Sequence, residues 1–100
     1  MTLLVTVSPA ALRDLQNIYQ YIADRRPPAS EAFLRNVAVE FDLLSERPFL
    51  GRRRHFKTSG IRSWRVRGFE NFIVYYRVRR KDVRILRVLH GAQDVSQMLS

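Results

Sequence analysis

The stretch FIVYYRV at residues 72–78 decides the fold of this 100-residue chain. It is almost continuously apolar and is rich in the β-branched and aromatic side chains that favour strands. A strand with one face in water alternates polar and apolar residues, whereas a strand buried on both faces is apolar throughout. The sequence therefore predicts a sheet in which residues 72–78 form a central strand.

A second strand pattern precedes this central strand. Residues 61–67 have the alternation of a half-buried strand. Its apolar face would meet the core, with Trp64 and Val66 pointing inward. The opposite face would carry the charged side chains of Arg65 and Arg67. The rest of this half comprises a basic loop at 52–57, a turn at 68–71, a turn at 80–82 and a last strand at 83–90.

The first half of the chain predicts one strand and two helices. The short β-branched stretch at 2–7 is followed by Ser8-Pro9, an N-cap residue and a proline at the first helical position. Pro27-Pro28 ends this helix, because the residue before a proline is pushed out of the helical region. A second amphipathic helix restarts at Ser30-Glu31 and stops before Pro48. The short break between the helices predicts an antiparallel helical hairpin.

These elements predict an α+β fold. The N-terminal strand and the helical hairpin would pack on one face of a small, mostly antiparallel sheet. A short C-terminal helix is expected after Asp94, a suitable N-cap, with Met98 and Leu99 at its end. A chain of this length supports one hydrophobic core, so residues 1–100 are expected to form a single domain.

The positive charge lies almost entirely in the second half. Residues 1–50 carry five Arg against six Asp and Glu, a balance of 5 − 6 = −1. Residues 51–100 carry thirteen Lys and Arg against three Asp and Glu, a balance of 13 − 3 = +10. Such asymmetry indicates an electronegative partner. Nucleic acid is one such partner, and an acidic protein segment is another.

Several arginines are expected within strands, where they can build a rigid cationic face. Since the helices can cover only one face of the sheet, the other face would need a cover of its own. A partner that brings carboxylates and apolar side chains would supply it. Arginine stems that cover the apolar surface unaided are the alternative. The residues concerned are Arg65, Arg67, Arg77, Arg84 and Arg87.

Composition excludes several classes of chemistry. The chain has no Cys, so it has neither disulfides nor thiolate ligands. His55 and His90 are the only histidines and lack a paired carboxylate, so we expect no metal and no cofactor. His90 near Arg65 or Arg77 would suit proton transfer at an RNA 2′-hydroxyl, and local packing is the alternative role for this histidine. No signal-peptide pattern or membrane-length apolar run is present, which favours a cytoplasmic protein without membrane contact.

Several stretches, in their order and spacing, resemble the ParE branch of the ParE/RelE toxin family. The most specific part is FIVYYR at 72–77 followed by RVLH at 87–90. The other matching stretches are SPAALRDL at 8–15, YQYI at 19–22, PFLG at 48–51 and ILRVLHGAQD at 85–94.

This resemblance implies the toxin of a type II toxin–antitoxin system and a ParE/RelE-like fold. A small cognate antitoxin would hold the toxin inactive in a hetero-oligomer. Its C-terminal segment would supply apolar and acidic contacts, and its N-terminus would be a ribbon-helix-helix DNA-binding unit. ParE-like members inhibit DNA gyrase by binding and so block replication and growth, whereas RelE-like members are ribosome-dependent mRNA endonucleases.

The sequence departs from the RelE-like pattern in ways that favour the gyrase inhibitor. Phe72 stands where those nucleases place a catalytic Arg, and no Tyr follows Tyr76. Gln93 stands where an Arg is expected in both branches. Two alternatives stay open: an endoribonuclease that uses Arg65, Arg77 and His90, and an inactive relic that only binds its antitoxin.

On the favoured interpretation the chain has no catalytic residues, and its functional residues form a binding surface. The residues expected to contact the antitoxin or the target are Arg62, Trp64, Arg65, Arg67, Arg77, Arg87, Met98 and Leu99.

Overall fold

A computed structural model of the chain describes residues 2–99, so the outer limits of the predicted domain, residues 1 and 100, lie outside the described part. Its sheet has the strand order β1-β5-β4-β3-β2, with β1 parallel to β5 and all other pairs antiparallel. This confirms the predicted α+β class. The elements are β1 (Leu4–Val7), α1 (Pro9–Arg25), α2 (Pro27–Glu46), β2 (Arg52–Arg53), β3 (Ile61–Val66), β4 (Phe69–Val78), β5 (Asp82–His90) and α3 (Val95–Met98).

The central position predicted for residues 72–78 is confirmed, because β4 is the middle strand of the sheet. Val74 and Tyr76 are buried in the core between the sheet and the two long helices. Ile73 and Tyr75 are buried in a second cluster on the opposite face. Since both faces of β4 are covered, nearly every residue of the strand has to be apolar. Among residues 2–99 no helix is long and apolar enough to span a bilayer.

Ser8 connects the start of α1 to the sheet. Its hydroxyl accepts a hydrogen bond from the backbone N–H of Ala11 at 3.0 Å, which caps the helix as predicted. The same hydroxyl donates to the carbonyl of Leu86 at 2.8 Å, and the backbone N–H of Ser8 donates to the carbonyl of Ile85. The entry of the chain into α1 is therefore fixed against β5.

The predicted start of the second helix at Ser30-Glu31 was wrong by one turn. Only Arg26 separates the two helices, and α2 begins at Pro27. Prolines are tolerated in the first turn, because the backbone N–H groups there have no partner within the helix. The hydroxyl of Ser30 donates to the carbonyl of Pro27 at 2.6 Å and steadies this first turn.

The sheet corrects three further expectations. Arg52 and Arg53, expected in a loop, form the edge strand β2 against β3. The turn expected at 68–71 is shorter, since the chain reverses at Arg67 and Gly68 and β4 starts directly afterwards. Gly68 has a φ of +82°, a conformation that glycine adopts without strain. Arg67 therefore lies in a turn rather than in a strand.

The Tyr76 hydroxyl connects the end of the helical hairpin to the central strand. It accepts a hydrogen bond from the backbone N–H of Gly51 and donates one to the carbonyl of Pro48, both at 2.8 Å. Any side chain at Gly51 would collide with this hydroxyl. Burial raises the pKa of the Tyr76 phenol, which keeps it in the neutral form that can donate.

We expect Tyr76→Phe to lower the free energy of unfolding by about 1–3 kcal/mol, because it leaves a buried N–H and a partly buried carbonyl without partners. Tyr75→Phe is the matched control, since within residues 2–99 the Tyr75 hydroxyl has no hydrogen-bond partner, and its expected change is below about 0.5 kcal/mol. Urea unfolding of both variants provides the measurement. Equal losses for the two variants would contradict the role given to the Tyr76 hydroxyl.

Asp82 closes the turn between β4 and β5 and also holds the edge strand β1. Its carboxylate accepts two hydrogen bonds from the Arg79 guanidinium, both at 2.6 Å, and one from the Thr6 hydroxyl at 2.7 Å. These contacts, with Arg79 first and Thr6 second, lower the pKa of Asp82 from 3.8 to about 2. The charged form of Asp82 is therefore favoured by the folded state.

A carboxyl group whose pKa is lowered by folding stabilises the protein above its unfolded pKa and loses that effect as the pH falls. We therefore expect Asp82→Asn to lower the melting temperature at pH 7, and the difference from the parent to shrink between about pH 4 and pH 2. Asp42→Asn on the exposed side of α2 is the control. A difference that is the same at pH 7 and pH 2.5 would count against this ion pair.

Candidate functional site

The sheet face opposite the helices is partly covered by the chain itself. We expected this face to need a partner for its cover. Instead, Phe56 from the loop between β2 and β3 packs on Tyr75, with ring centroids 6.0 Å apart. Val95 and Leu99 from the C-terminal segment pack against the same cluster. The apolar centre of this face is therefore closed, and what stays open is its charged periphery.

Arg65 and Arg77 lie in this charged periphery but not next to each other. Arg65 is exposed and donates to the carbonyl of Glu70 at 2.6 Å. Arg77 is half-buried and donates to the carbonyl of Ser59 at 3.0 Å, and its Nε is buried without a partner among residues 2–99. The strand register pairs Arg65 with Ile73, so the two arginines are about 13 Å apart along the strands.

Arg77 and Arg84 face each other directly across β4 and β5. Two like charges in opposite positions of an antiparallel pair repel each other and destabilise the sheet. No carboxylate in residues 2–99 forms a salt bridge with either of them. A carboxylate from outside the chain would relieve this repulsion, which makes the pair a suitable docking point for an acidic segment.

His90 does not join these arginines. Its ring packs edge-on against Phe72 at a centroid distance of 5.4 Å, and Phe72 belongs to the core on the helix side of the sheet. Its Nδ1 accepts a hydrogen bond from the backbone N–H of Ala92 at 3.0 Å. Arg65 and Arg77 lie on the other face of the sheet. The three residues expected for an endoribonuclease are therefore not gathered around one point.

Gln93 has a local role at the end of β5. Its side-chain oxygen accepts from the backbone N–H of His90 at 2.7 Å, and its own N–H donates to the carbonyl of His90 at 3.0 Å. The glutamine thus closes the turn that leads into α3. An arginine at this position has no acceptor group in its side chain and could not make the first of these bonds.

Arg87 is neutralised within the chain. Its guanidinium forms two hydrogen bonds with the carboxylate of Asp14 on α1, at 2.7 and 2.8 Å. The same carboxylate accepts the backbone N–H of Val88 at 3.0 Å, where β5 extends beyond β1. Asp14 raises the pKa of Arg87, which holds the guanidinium charged. This geometry connects α1 to the edge of the sheet.

Trp64 and Arg67 meet at the buried carboxylate of Glu40 on α2. The indole N–H of Trp64 and the backbone N–H of Arg67 each donate to one of its oxygens at 3.0 Å. Glu40 is 4% exposed, so both donors are needed to satisfy it. The Arg67 side chain itself extends into solvent.

The remaining predicted residues divide between exposed and buried positions. Arg62 donates to the carbonyls of Phe49 and Gly51 at 3.2 and 2.8 Å. Met98 is exposed and available for contact, whereas Leu99 is buried in the outer cluster. The predicted binding residues thus do not form one continuous surface.

An apolar groove that the sequence patterns did not predict lies on the outer side of the helical hairpin. A cavity of about 420 Å³ lies between α1 and α2, with Leu12 and Leu34 partly exposed in its walls. Leu12 follows the buried Ala11, about 100° further around the helix. The sequence does indicate this groove, because the apolar residues of α1 span more of the helix surface than its contact with the sheet can bury. Between residues 2 and 99 no cluster of His, Asp and Glu could hold a metal ion.

A family model described as the ParE toxin of the type II toxin–antitoxin system parDE matches residues 5–95. The chain belongs to the ParE toxin family. The resemblance to ParE toxins is thereby confirmed, and the protein is the toxin component of a type II toxin–antitoxin system.

Two solved structures share its fold. A chain of the chromosomal ParDE system from P. aeruginosa superposes with a TM-score of 0.72 at 21% identity, covering 89% of this chain and 96% of that one. A chain of the toxin–antitoxin complex RelBE2 from Mycobacterium tuberculosis gives a TM-score of 0.59 at 26% identity, covering 90% and 99%. Among curated proteins, none matches this chain.

Arg87 was expected to contact a partner, but its ion pair with Asp14 indicates that it stabilises the fold. We expect Arg87→Ala to lower the free energy of unfolding by about 1–3 kcal/mol, because it leaves a mostly buried carboxylate without its cation. A double-mutant cycle with Asp14→Ala, followed by urea unfolding, measures the coupling between the two residues. Additive losses would show that the pair contributes nothing.

Proposed function

We propose that this toxin inhibits DNA gyrase by binding to it, without catalytic chemistry of its own. The observation that carries the proposal is the location of His90. Its ring lies on the helix side of the sheet, its Nδ1 is occupied, and Arg65 and Arg77 lie on the opposite face. A general base has to reach the proton it removes, and groups that stabilise the charged phosphate have to converge on the same point. The absence of such convergence favours binding over RNA cleavage.

The surface for the target would be the charged periphery of the sheet. Arg65 and Arg67 are exposed at one end of β3, and Met98 is exposed on the C-terminal segment. Exposed arginines with adaptable methionine contacts are suited to a protein partner. Arg62, Trp64, Arg87 and Leu99 would support this surface from within the fold rather than contact the target.

A cognate antitoxin would neutralise the toxin through two different regions. The groove between α1 and α2 would take the apolar face of an amphipathic segment. The cross-strand pair of Arg77 and Arg84 would take acidic side chains. Such a partner would combine an acidic and apolar C-terminal segment with a ribbon-helix-helix DNA-binding unit. The resulting hetero-oligomer would reside with its target in the cytoplasm.

A gyrase supercoiling assay with the purified toxin tests the proposal. We expect the parent protein and His90→Ala to inhibit supercoiling to within about threefold of each other, and Arg65→Glu to inhibit at least about tenfold less, a loss of about 1.4 kcal/mol in binding. Arg35→Glu on the exposed side of α2 makes the same charge change elsewhere and serves as the matched control.

A parallel assay on ribosome-bound mRNA separates the alternatives. Cleavage of mRNA that His90→Ala abolishes, with supercoiling unaffected by any variant, would replace the gyrase proposal with the endoribonuclease. A folded protein that affects neither reaction yet binds its antitoxin would indicate the inactive relic.

A further inference from the structure

A second positively charged site lies beside the edge strand β2, and neither Arg65 nor a residue of the helical groove is among its lining residues. It is a cavity of about 390 Å³ between the turn after α2, the loop before β3 and the start of β3. We call it the basic cavity and define it by six of its lining residues: Phe49, Arg53, Arg54, His55, Phe56 and Arg62.

The charge of the basic cavity is not compensated within the chain. Residues 50–62 contain five Lys and Arg and no Asp or Glu. Both salt bridges in the described part of the chain, those of Arg79 and Arg87, lie elsewhere. The repulsion among guanidinium groups around one concave surface is relieved when an anion enters. The cavity therefore favours a polyanionic ligand.

Two of its arginines are already held in position by aromatic rings. The guanidinium of Arg62 lies 5.2 Å from the ring centre of Phe49, and it is fixed by the carbonyls of Phe49 and Gly51. The guanidinium of Arg54 lies 5.3 Å from the ring centre of Phe56. Both groups keep N–H donors that these contacts do not use, because each guanidinium has five.

Phe49 is the unusual member of the site. Its side chain is 67% exposed, and it belongs to neither of the two apolar clusters formed by residues 2–99. An exposed ring next to preorganised guanidinium groups provides what single-stranded nucleic acid needs, a face on which a base can stack and donors for the adjacent phosphates. An acidic peptide would satisfy the guanidinium groups but would supply no planar group for the exposed part of the Phe49 ring, which Arg62 does not cover.

We propose that the basic cavity binds single-stranded nucleic acid. Phosphate groups contact Arg53, Arg54 and Arg62, and one base stacks on Phe49. DNA and RNA share this chemistry, and the binding requires neither cleavage nor a ribosome. Arg65 does not line the basic cavity, so the inference goes beyond the gyrase proposal and does not depend on it.

Fluorescence anisotropy of the full chain with labelled dT12 and U12 oligonucleotides, at several salt concentrations, tests this site. We expect Arg53→Glu to weaken binding at least about tenfold. The control Arg80→Glu removes an exposed arginine from the β4–β5 turn and should change affinity by no more than about twofold. We expect Phe49→Ala to weaken binding about fivefold or more, as for one lost stacked base, with an unchanged salt dependence.

The two oligonucleotides show whether DNA or RNA is preferred, and tighter binding of either one supports the proposal. Circular dichroism verifies that the variants are folded, and Arg53→Gln replaces Arg53→Glu if the latter is not. Three results would overturn the proposal. The first is that neither oligonucleotide binds at low salt, and the second is that Arg53→Glu and Arg80→Glu lower the affinity equally. The third is that a twelve-residue polyglutamate peptide binds as tightly as dT12 and that Phe49→Ala does not change its affinity. The last result would assign the cavity to an acidic protein segment.

Discussion

The Tyr76 hydroxyl holds together the parts of this toxin on which its surfaces depend. It lies near the end of the central strand and bonds to the backbone on both sides of the turn that leaves α2. That turn places Phe49 at the surface and brings the chain to β2, the strand that carries Arg53. The turn after α2, and with it the basic cavity, is thus fixed to the sheet by one buried residue. The collision that any side chain at Gly51 would cause makes this arrangement highly specific.

The arginines of the second half divide into two groups with different physical roles. Arg79 and Arg87 are neutralised by Asp82 and Asp14 and stabilise the ends of the sheet. The others form no salt bridge within residues 2–99: some extend into solvent, Arg54 and Arg62 lie against aromatic rings, and Arg77 faces another arginine across the strands. Only part of the excess positive charge is therefore available to bind a partner.

Much of the fold follows from local rules. The apolar stretch at 72–78 and the cap at Ser8 could be predicted because a strand buried on both faces has to be apolar and because Ser before Pro favours a helix start, whichever distant residues complete the contacts. The second helix began earlier than predicted because prolines are excluded from helix interiors but not from the first turn. The strand at Arg52 and Arg53 could not be predicted, since two charged residues form a strand only when a neighbouring edge offers hydrogen bonds.

The functional surfaces were harder to predict, because they depend on contacts distant in sequence. Arg87 pairs with a carboxylate seventy-three residues earlier, and nothing near it in the sequence indicates this partner. Leu99 is buried because the outer face of the sheet offers it an apolar cluster. A local role for His90 was one of its two expected roles, and the structure gives it local contacts with Phe72 and Ala92. That it lies on the opposite face from Arg65 and Arg77 could be seen only from the strand register.

The proposed function requires that this toxin act by binding a component of replication and not by cleaving RNA. The incorporation of labelled thymidine and leucine in cells, during the first minutes after induction of the toxin without its antitoxin, tests this requirement. We expect thymidine incorporation to stop while leucine incorporation continues. An immediate stop in leucine incorporation with DNA synthesis continuing would contradict it.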